Sequence, residues 1–393
     1  MSESETPSER PTTMAPTRQQ GSPTLTFRGG GWVIALAGLL VVLVLGWSLL
    51  GPLLGRHPIG DGRTVESYGY DLSSLLIEPT ALVASGYPRG FLPSRDEPSH
   101  ILGRDMVIFN ERNRPKYVVT SDRVAGIVIN GQAHAWPLSM LNVHEVVNDT
   151  VAGVPVAVTY SPLCDAVIAF DRRVGGVTRS FEVSGLLVNS NLVFCDKSAE
   201  GVAVDAHVPS LFLQLERRAI AGPLAASATT LNALPDVCIT TWADWLDAHP
   251  DTTVAERDPA MIRRMKEISY ARYFLGPKLE SSTAPLPTDA DLESTGLRLK
   301  SPLIAIELSG VWWLLAFEPF LENLQSDATT ADRTVRLKLA ETELLVHLPK
   351  GPAVARIERA DGQPIRTVPC LYFAAYSVVI PRDRCQFVTA RPE

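Results

Sequence analysis

The hydrophobic residues of this chain follow two patterns, one continuous run near the start and short alternating segments later. The run at residues 31–50 contains no charged side chain. A helix rises about 1.5 Å per residue, so a run of this length spans the roughly 30 Å hydrocarbon core of a membrane. Trp32 and Trp47 lie near its two ends, where indole rings favour the membrane interface. The run therefore predicts a transmembrane helix over residues 31–54.

A cleaved signal peptide is the alternative interpretation of this run. Its apolar core would be shorter, and a small-residue cleavage site would follow it. The sequence Gly51-Pro52-Leu53-Leu54 follows instead, which favours an uncleaved anchor. Basic residues flank both sides, so charge barely discriminates between orientations. A short tail before a single early span usually stays in the cytoplasm. We expect the chain from about residue 56 onward to be extracytoplasmic.

Beyond residue 100, apolar and polar residues alternate over short stretches, which is typical of β-strands. The first predicted hairpin turns at Asn130-Gly131, a pair that supplies the two positive φ angles of a type I′ turn. A second hairpin bends between Asp149 and Gly153 and leads to a strand over residues 166–170. Helix is predicted later, at residues 242–249, between an N-cap Thr and a Pro. The pattern predicts a β-rich α+β fold of short antiparallel strands with a few helices.

Similar patterns recur in the last third of the chain, in the same order. Residues 301–313 resemble the Asn130-Gly131 hairpin, 355–362 resemble 169–176, and 371–383 resemble 242–251. Such recurrence favours an internal duplication, although any β-rich chain contains some echoes of this kind. The predicted organisation is a disordered cytoplasmic tail at 1–28, the transmembrane helix at 31–54, a Gly- and Pro-rich stalk and lead-in at 55–100, a first β-rich unit at 101–255 and a second, degenerate one at 256–393.

Composition and charge exclude some classes of function. The apolar fraction of 46% and the charged fraction of 20% are those of a globular protein. The net charge is −7 and no block of Lys or Arg occurs, so a nucleic-acid partner is not expected. No P-loop or dinucleotide-binding fingerprint is present. The expected partner is the membrane, contacted through the one N-terminal helix.

Candidate chemistry is concentrated between His144 and Phe170, around the second hairpin. The candidate ligand-binding residues are His144, Glu145, Asn148, Asp149, Cys164 and Asp165. His144 and Cys164 are the candidate metal ligands, since a Cys, His and carboxylate set suits zinc or copper. On a strand, however, His144 and Asn148 would face one side and Glu145 and Asp149 the other. The hypothesis requires that His144, Cys164 and an acidic side chain converge within about 4 Å of a shared point.

The remaining histidine and cysteine residues carry weaker expectations. His134 follows the Asn-Gly turn and is predicted to be a surface residue. The chain contains five cysteines, and an odd number leaves at least one thiol outside an intrachain disulfide. A disulfide between Cys370 and Cys385 is possible, because both residues lie in the last predicted unit.

The motifs around these residues resemble the domain-of-unknown-function family 3179, an uncharacterised bacterial and archaeal group. The resemblance covers residues 95–255 well and the later part weakly. It is carried by the segments 130–138, 144–149, 158–164, 169–172, 183–187, 219–224, 241–245 and 249–252. Two departures stand out. The family's Cys-Pro-Leu-Cys motif is Ser161-Pro162-Leu163-Cys164 here, and Phe212 replaces the Trp of a Ser-Leu-Trp-x-Gln element after an insertion at about 200–209.

Two function hypotheses follow. The first is a single-pass membrane-anchored extracytoplasmic protein that serves as a binding or interaction module at the cell envelope. The alternative is a metal- or thiol-dependent protein that uses His144 and Cys164. A lone Cys164 could act as a nucleophile with His144 as its base, whereas Ser161 removes the partner thiol that a redox pair needs.

Overall fold

The computed structural model describes residues 31–53, 59–197, 207–234, 237–283, 286–316, 334–347, 356–363, 365–376 and 385–388. The chain divides into two compact units, Met1–His57 and Pro58–Glu393. The first unit contains helix α1 (Gly31–Leu53), whose side chains are described over residues 31–47. In the part of the chain that the structure describes, no helix is both long and apolar enough to cross a membrane. The predicted tail at 1–28 and most of the predicted insertion at 200–209 lie outside the described residues.

The second unit is built from short strands with a few short helices. In chain order its described strands are β1 (Leu82–Ala84), β2 (Arg95–Asp96), β3 (His100–Leu102), β4 (Arg123–Ile129), β5 (Gln132–Pro137), β6 (Val146–Val151), β7 (Val154–Ser161), β8 (Ala166–Asp171), β9 (Arg173–Val174), β10 (Val177–Thr178), β11 (Phe181–Val188), β12 (Asn191–Asp196), β13 (Leu211–Leu213), β14 (Arg218–Ala221), β15 (Cys238–Thr241), β16 (Thr253–Ala255), β17 (Pro302–Leu308), β18 (Val311–Ala316), β19 (Thr334–Leu339), β20 (Thr342–His347), β21 (Arg356–Arg359), β22 (Arg366–Leu371) and β23 (Cys385–Phe387). Its described helices are α2 (Met106–Arg112), α3 (Leu138–His144), α4 (Pro223–Ala226), α5 (Trp242–Ala248), α6 (Ile262–Glu267), α7 (Ala271–Leu275), α8 (Asp289–Thr295) and α9 (Tyr372–Ala374).

The strands form several small sheets, as the alternating pattern predicts. Sheet I has the order β15-β4-β5-β16-β3, sheet II β2-β6-β7-β8, sheet III β1-β11-β12-β13-β14, sheet IV β22-β17-β18-β23 and sheet V β19-β20-β21. The β4–β5 hairpin turns at Asn130 and Gly131, whose φ angles are 50° and 77°. These are the positive values that the Asn-Gly pair predicts. The β-rich α+β fold class is confirmed.

Sheets I and IV share one strand order and one set of directions. In sheet I, β15 and β4 are antiparallel, β4 and β5 are antiparallel, and β5 and β16 are parallel. In sheet IV the corresponding pairs β22–β17, β17–β18 and β18–β23 repeat these directions. A short helix follows β15 and another follows β22, and three-stranded meanders follow both hairpins. The recurring sequence segments therefore occupy corresponding places in two similar arrangements.

The described residues before position 100 do not form a stalk. Tyr68 is buried in an apolar cluster with Leu186 and Leu213. Strand β1 pairs with β11, β2 with β6 and β3 with β16, so this segment contributes edge strands to three sheets. Its Gly and Pro residues prevent long elements, but they allow the very short edge strands that occur here.

One apolar core extends across the predicted boundary between residues 255 and 256. The rings of Phe170, Phe194 and Phe212 stack in sequence, and Phe181 packs edge-on against the last two, with centroid separations of 5.5–5.8 Å. Leu303 and Val368 of the later segment belong to the same buried cluster. The two similar arrangements therefore pack into one unit.

The predicted disulfide between Cys370 and Cys385 is wrong for this fold. Cys370 carries a free, buried thiol. It lies on β22, while Cys385 lies on β23, at the opposite edge of sheet IV. Neighbouring strands are about 4.8 Å apart, so three strand spacings exceed the roughly 7 Å limit between the Cα atoms of a disulfide.

Close packing of α5 against β4 leads to the first testable prediction. A Cβ atom added to Gly126 would lie 2.5 Å from ring atoms of Trp245, and the Trp245 indole is held by a 2.8 Å hydrogen bond from Nε1 to Thr252 Oγ1. We expect Gly126→Ala to lower the free energy of unfolding by about 1–3 kcal/mol, measured by urea denaturation. Val128→Thr, at an exposed site on the same strand, is the control and should change it by less than about 0.5 kcal/mol. Equal stability of the two variants would contradict this packing.

Candidate metal centre

A buried carboxylate, that of Asp149, is held by side chains from strands β3 and β5 and by one backbone amide of β6. His100 Nε2 lies 2.8 Å from Asp149 Oδ1, and Trp136 Nε1 donates to Oδ2 at 2.8 Å. The backbone amide of Thr150 donates to Oδ1 at 2.7 Å. His134 Nε2 lies 3.4 Å from Oδ2. The possible ligand atoms of His100, His134 and Asp149 all lie within 4.8 Å of one another, and no other described residues form such a group.

Strand pairing places the two histidines side by side. Strand β16 lies between β5 and β3, and its Thr253 and Ala255 are paired with His134 and His100 respectively. Because residues two apart on a strand point to the same face, both imidazoles lie on one face of sheet I. Their ring centroids are 4.2 Å apart. Asp149 comes from β6 of sheet II, so the cluster joins the two sheets.

The environment of His134 differs from that of His100. His134 is fully buried, and its Nδ1 lies 2.6 Å from Thr253 Oγ1. Its Nε2 makes no contact with hydrogen-bond geometry among the described residues, although Asp149 Oδ2 lies 3.4 Å away. The Trp136 ring packs edge-on against the imidazole at 4.7 Å. In contrast, 28% of the His100 side chain is exposed. The cluster is thus closed on one side and open to solvent at His100.

The charge states of His134 and Asp149 suit a cation, whereas His100 would have to lose a proton to bind one. Burial lowers the pKa of His134, which outweighs the opposing effect of Asp149. The hydrogen bond with Asp149 raises the pKa of His100 above its ordinary value. Burial alone would raise the pKa of Asp149, but the hydrogen bond with His100 and the nearby imidazole of His134 outweigh it and lower this pKa. The carboxylate is therefore ionised and His134 is neutral, as metal ligands must be.

The residues predicted from sequence separate into different surroundings. His144 ends helix α3 instead of lying on a strand, and its Nδ1 lies 2.7 Å from the carbonyl oxygen of Pro93. Asn148 donates to the carbonyl of Phe181 and accepts from its amide, so it fastens β6 to β11. Asp165 pairs with the guanidinium of Arg123 at 2.9 Å. Each of these polar groups makes a structural contact, although the Nε2 atom of His144 is also buried without a hydrogen-bond partner among the described residues.

Cys164 does not have the properties of a nucleophile or a metal ligand. Its side chain is fully buried within an apolar cluster, and burial raises the pKa of the thiol to about 12. The neighbouring Ser161 hydroxyl accepts a hydrogen bond from the amide of Leu192 at 3.2 Å. His144, Cys164 and an acidic residue do not form a group of converging ligand atoms among the described residues. The convergence that the sequence hypothesis requires is therefore not met.

Sequence reasoning identified Asp149 but missed both histidines. The prediction that His134 is a surface residue is wrong, because the side chain is fully buried. Strand alternation could have revealed this, since His134 shares a face with Trp136, an aromatic residue expected in the core. His100 lay in the predicted stalk. No local spacing links these residues, because strand pairing alone brings them together.

The fold and this cluster define a β-rich α+β protein with a buried centre of two histidines and one carboxylate. The chain belongs to the domain-of-unknown-function family 3179. The family model, described as "Protein of unknown function (DUF3179)", matches residues 105–361. The match includes His134 and Asp149 and extends through most of the second arrangement, whereas His100 precedes it. No curated protein and no solved structure matches the chain.

Glu145 generates a prediction about pH. It follows α3 with a φ of 54° and is partly buried, and burial raises the pKa of its carboxyl group from 4.5 to about 8. A raised carboxyl pKa favours the folded state at low pH, and this contribution is lost as pH rises through the folded-state pKa. Glu145→Gln should therefore have little effect near pH 4.5 and should stabilise the protein above pH 8, on the order of 2 kcal/mol.

Urea denaturation across this pH range measures the effect. Glu267→Gln is the matched control, because Glu267 is exposed and forms only a loose ion pair with Arg263 at 3.6 Å. The control should follow the parent protein at every pH. A stability difference for Glu145→Gln that does not grow with pH would contradict the buried, neutral carboxyl group.

Proposed function

We propose that this protein is a membrane-anchored binding module that holds one divalent transition-metal ion between His100, His134 and Asp149. The observation that carries the proposal is the buried Nε2 atom of His134, which has no hydrogen-bond partner among the described residues. An unsatisfied buried polar group costs about 1–3 kcal/mol. A metal ion bound by His134, His100 and the ionised Asp149 would remove this cost.

The surroundings of the three side chains support this role. Two imidazoles and one carboxylate suit zinc or ferrous iron, and three protein ligands leave a coordination position open. Metal-bound histidines usually make a hydrogen bond through the other ring nitrogen, which fixes the orientation of the ring. Thr253 provides this contact for His134, and Trp136 holds the carboxylate. The exposed edge of His100 gives the ion and a further ligand a path from solvent.

The second arrangement offers an internal comparison. His134 and Trp136 lie three and five residues after Gly131, and the equivalent positions after Gly310 are Trp313 and Leu315. Asp149 lies three residues before Ala152, and the residue three before Ala340 is Leu337. Trp313, Leu315 and Leu337 belong to one apolar cluster. A similar strand arrangement can thus be filled with apolar side chains.

We therefore infer that the two arrangements arose by duplication and that only the first keeps a binding site. Architecture alone does not require the polar cluster, because the corresponding positions of the second arrangement pack without one. This contrast favours a ligand-binding role for His134 and Asp149 over a purely structural one. The hypothesis of a metal- or thiol-dependent protein that uses His144 and Cys164 is thus replaced by a metal site formed by His100, His134 and Asp149.

Metal analysis tests the proposal. We expect the full chain, purified in detergent and dialysed against Zn²⁺, to retain about one zinc per chain, as one set of three ligands implies. His100→Ala should reduce zinc affinity at least about tenfold, since one ligand is lost. Binding should also weaken as pH falls below 7, because the raised pKa of His100 keeps its proton in competition with the ion. Co²⁺ absorption in the visible range reports on the ligand set.

The control is His249→Ala, since His249 lies outside the cluster and should leave zinc affinity unchanged. Circular dichroism of every variant confirms folding. Asp149→Asn provides a second variant that removes the ligand charge while keeping the side-chain shape. Absence of zinc from the parent protein, or equal zinc content in the parent and His100→Ala, would rule out the site.

Membrane anchoring remains part of the proposal, with the bulk of the chain outside the cytoplasm at the cell envelope. It is supported by the exposed apolar side chains of α1, which include Val42 and Val44, both about two-thirds exposed, and Trp47, which is 82% exposed. In water such a surface would be costly, at about 25 cal/mol for each Å². A lipid phase removes this cost.

Charged substitutions within α1 test the anchor. Val41→Arg combined with Leu43→Arg places two charges near the middle of the apolar run, each costing about 2.5–3.5 kcal/mol in a membrane-spanning helix. We expect the double variant to leave the carbonate-washed membrane fraction of expressing cells. Gly31→Arg, at the start of the helix, should remain there. If the double variant stays in the membrane fraction, the anchor lies elsewhere.

A further inference from the structure

Leu275 is the most exposed of the large apolar side chains that the structure describes, at 89%. It ends α7, the second of two short helices that follow each other closely. A leucine in this position leaves nearly its whole surface in water, which is unfavourable. Single exposed apolar residues are common on proteins, so the surroundings of Leu275 decide whether it has a role.

Positive charge surrounds Leu275 in the α6–α7 segment, residues 262–280. The segment contains five Lys or Arg residues and two Glu residues, a net charge of +3 in a chain whose net charge is −7. Arg263 forms an ion pair with Glu267, and Arg264 packs on an aromatic ring. The other three basic side chains are exposed and form no ion pair with the described residues: Lys266, Arg272 and Lys278. The segment therefore has unpaired positive charge beside an exposed leucine.

Direct contacts join this segment to the start of the second unit. The guanidinium of Arg264 lies over the Phe91 ring, 4.5 Å from its centroid. The Phe91 ring stacks on Tyr87 with a centroid separation of 4.3 Å. The amide of Arg89 donates to the carbonyl of Ile59 at 2.8 Å. Tyr87 and Ile59 are each about half exposed. We refer to the α6–α7 segment, Tyr87 and Ile59 together as the α6–α7 face.

Ile59 also follows helix α1 closely in the sequence. Helix α1 ends at Leu53, six residues before Ile59. An extended chain spans at most about 3.6 Å per residue, which limits the distance between these two Cα atoms to roughly 20 Å. With α1 held in a bilayer, the α6–α7 face is therefore within reach of the lipid surface.

We propose that the α6–α7 face docks on the surface of the bilayer that holds α1, and that it recognises anionic phospholipids. This inference rests on the membrane anchoring proposed above. The three unpaired basic side chains contact lipid phosphates, since Lys and Arg near an anionic surface strengthen attachment. Leu275 enters the boundary between headgroups and acyl chains, where the apolar side chains of interfacial helices lie. The ring of Tyr87 is of a kind that favours the same boundary.

Hydrogen–deuterium exchange of the full chain in lipid nanodiscs tests the proposal. Discs of phosphatidylcholine alone are compared with discs of an equal mixture of phosphatidylcholine and phosphatidylglycerol. We expect the backbone amides of residues 271–276 to exchange at least about fivefold more slowly in the anionic discs, because each Lys or Arg near such a surface strengthens attachment about fivefold. Added salt should reduce this protection, since it screens the charges.

Two variants of the face separate the charges from the apolar contact. The combination of Lys266→Gln, Arg272→Gln and Lys278→Gln should abolish the difference between the two kinds of disc. Leu275→Ser should reduce the difference without any change in charge, because the inserted side chain becomes polar. Leu275 is so exposed that its replacement leaves the fold intact, which circular dichroism of every variant checks.

The matched control removes three positive charges from exposed sites outside the face. It combines Arg104→Gln, Arg336→Gln and Lys338→Gln, whose side chains are each about two-thirds exposed. Since surface ion pairs contribute little, this variant should keep the protection of residues 271–276 within about twofold of the parent value. Equal loss of protection in the control and in the triple variant of the face overturns the proposal.

Size-exclusion chromatography of the discs separates failure of the anchor from failure of the face. Absence of the chain from the discs overturns the anchor and, with it, this inference. A chain that enters the discs but exchanges equally in both lipid compositions overturns the inference alone. Protection of residues 271–276 that appears in detergent and rises with protein concentration identifies a second copy of the chain as the occupant and also overturns it.

Discussion

The second unit depends on how one buried charge, the carboxylate of Asp149, is compensated. An ionised carboxylate is expensive to bury unless donors surround it. His100, Trp136 and the amide of Thr150 supply these donors from β3, β5 and β6. Since the strands belong to two sheets, the requirement to satisfy one carboxylate fixes how the sheets meet. It also places the Nε2 atom of His134 3.4 Å from Asp149 Oδ2, which creates the candidate metal centre.

The two similar arrangements show how one topology can support different chemistry. In the first, the positions after the β4–β5 turn and before the β6–β7 turn carry His134, Trp136 and Asp149, which meet in the buried cluster. In the second, the equivalent positions carry Trp313, Leu315 and Leu337, which pack as an ordinary apolar core.

Local features of the chain were predictable because they depend on a few neighbouring residues. The Asn130-Gly131 turn, the strands on either side of it and the capped helix α5 all follow from φ preferences, alternation and capping. Thr241 Oγ1 accepts a hydrogen bond from the amide of Asp244, as the sequence indicates. The family resemblance was likewise recognisable from short motifs, and the matching family model confirms it. Predictions failed where an outcome depended on distant segments, as for the stalk and the Cys370–Cys385 disulfide.

By itself, then, the sequence determined the class of fold, the positions of the main turns and the recurrence of the hairpin pattern, and it named Asp149 as one of six candidate residues. Only the tertiary structure decided which partners Asp149 meets. His100 and His134 become neighbours because β16 inserts between their strands. Strand β16 follows both histidines by more than a hundred residues, so no local spacing in the sequence encodes this pairing. The physical reason is that the alternation of side chains depends on one strand alone. The order of strands in a sheet depends on how segments from distant parts of the chain pack together to bury their apolar side chains.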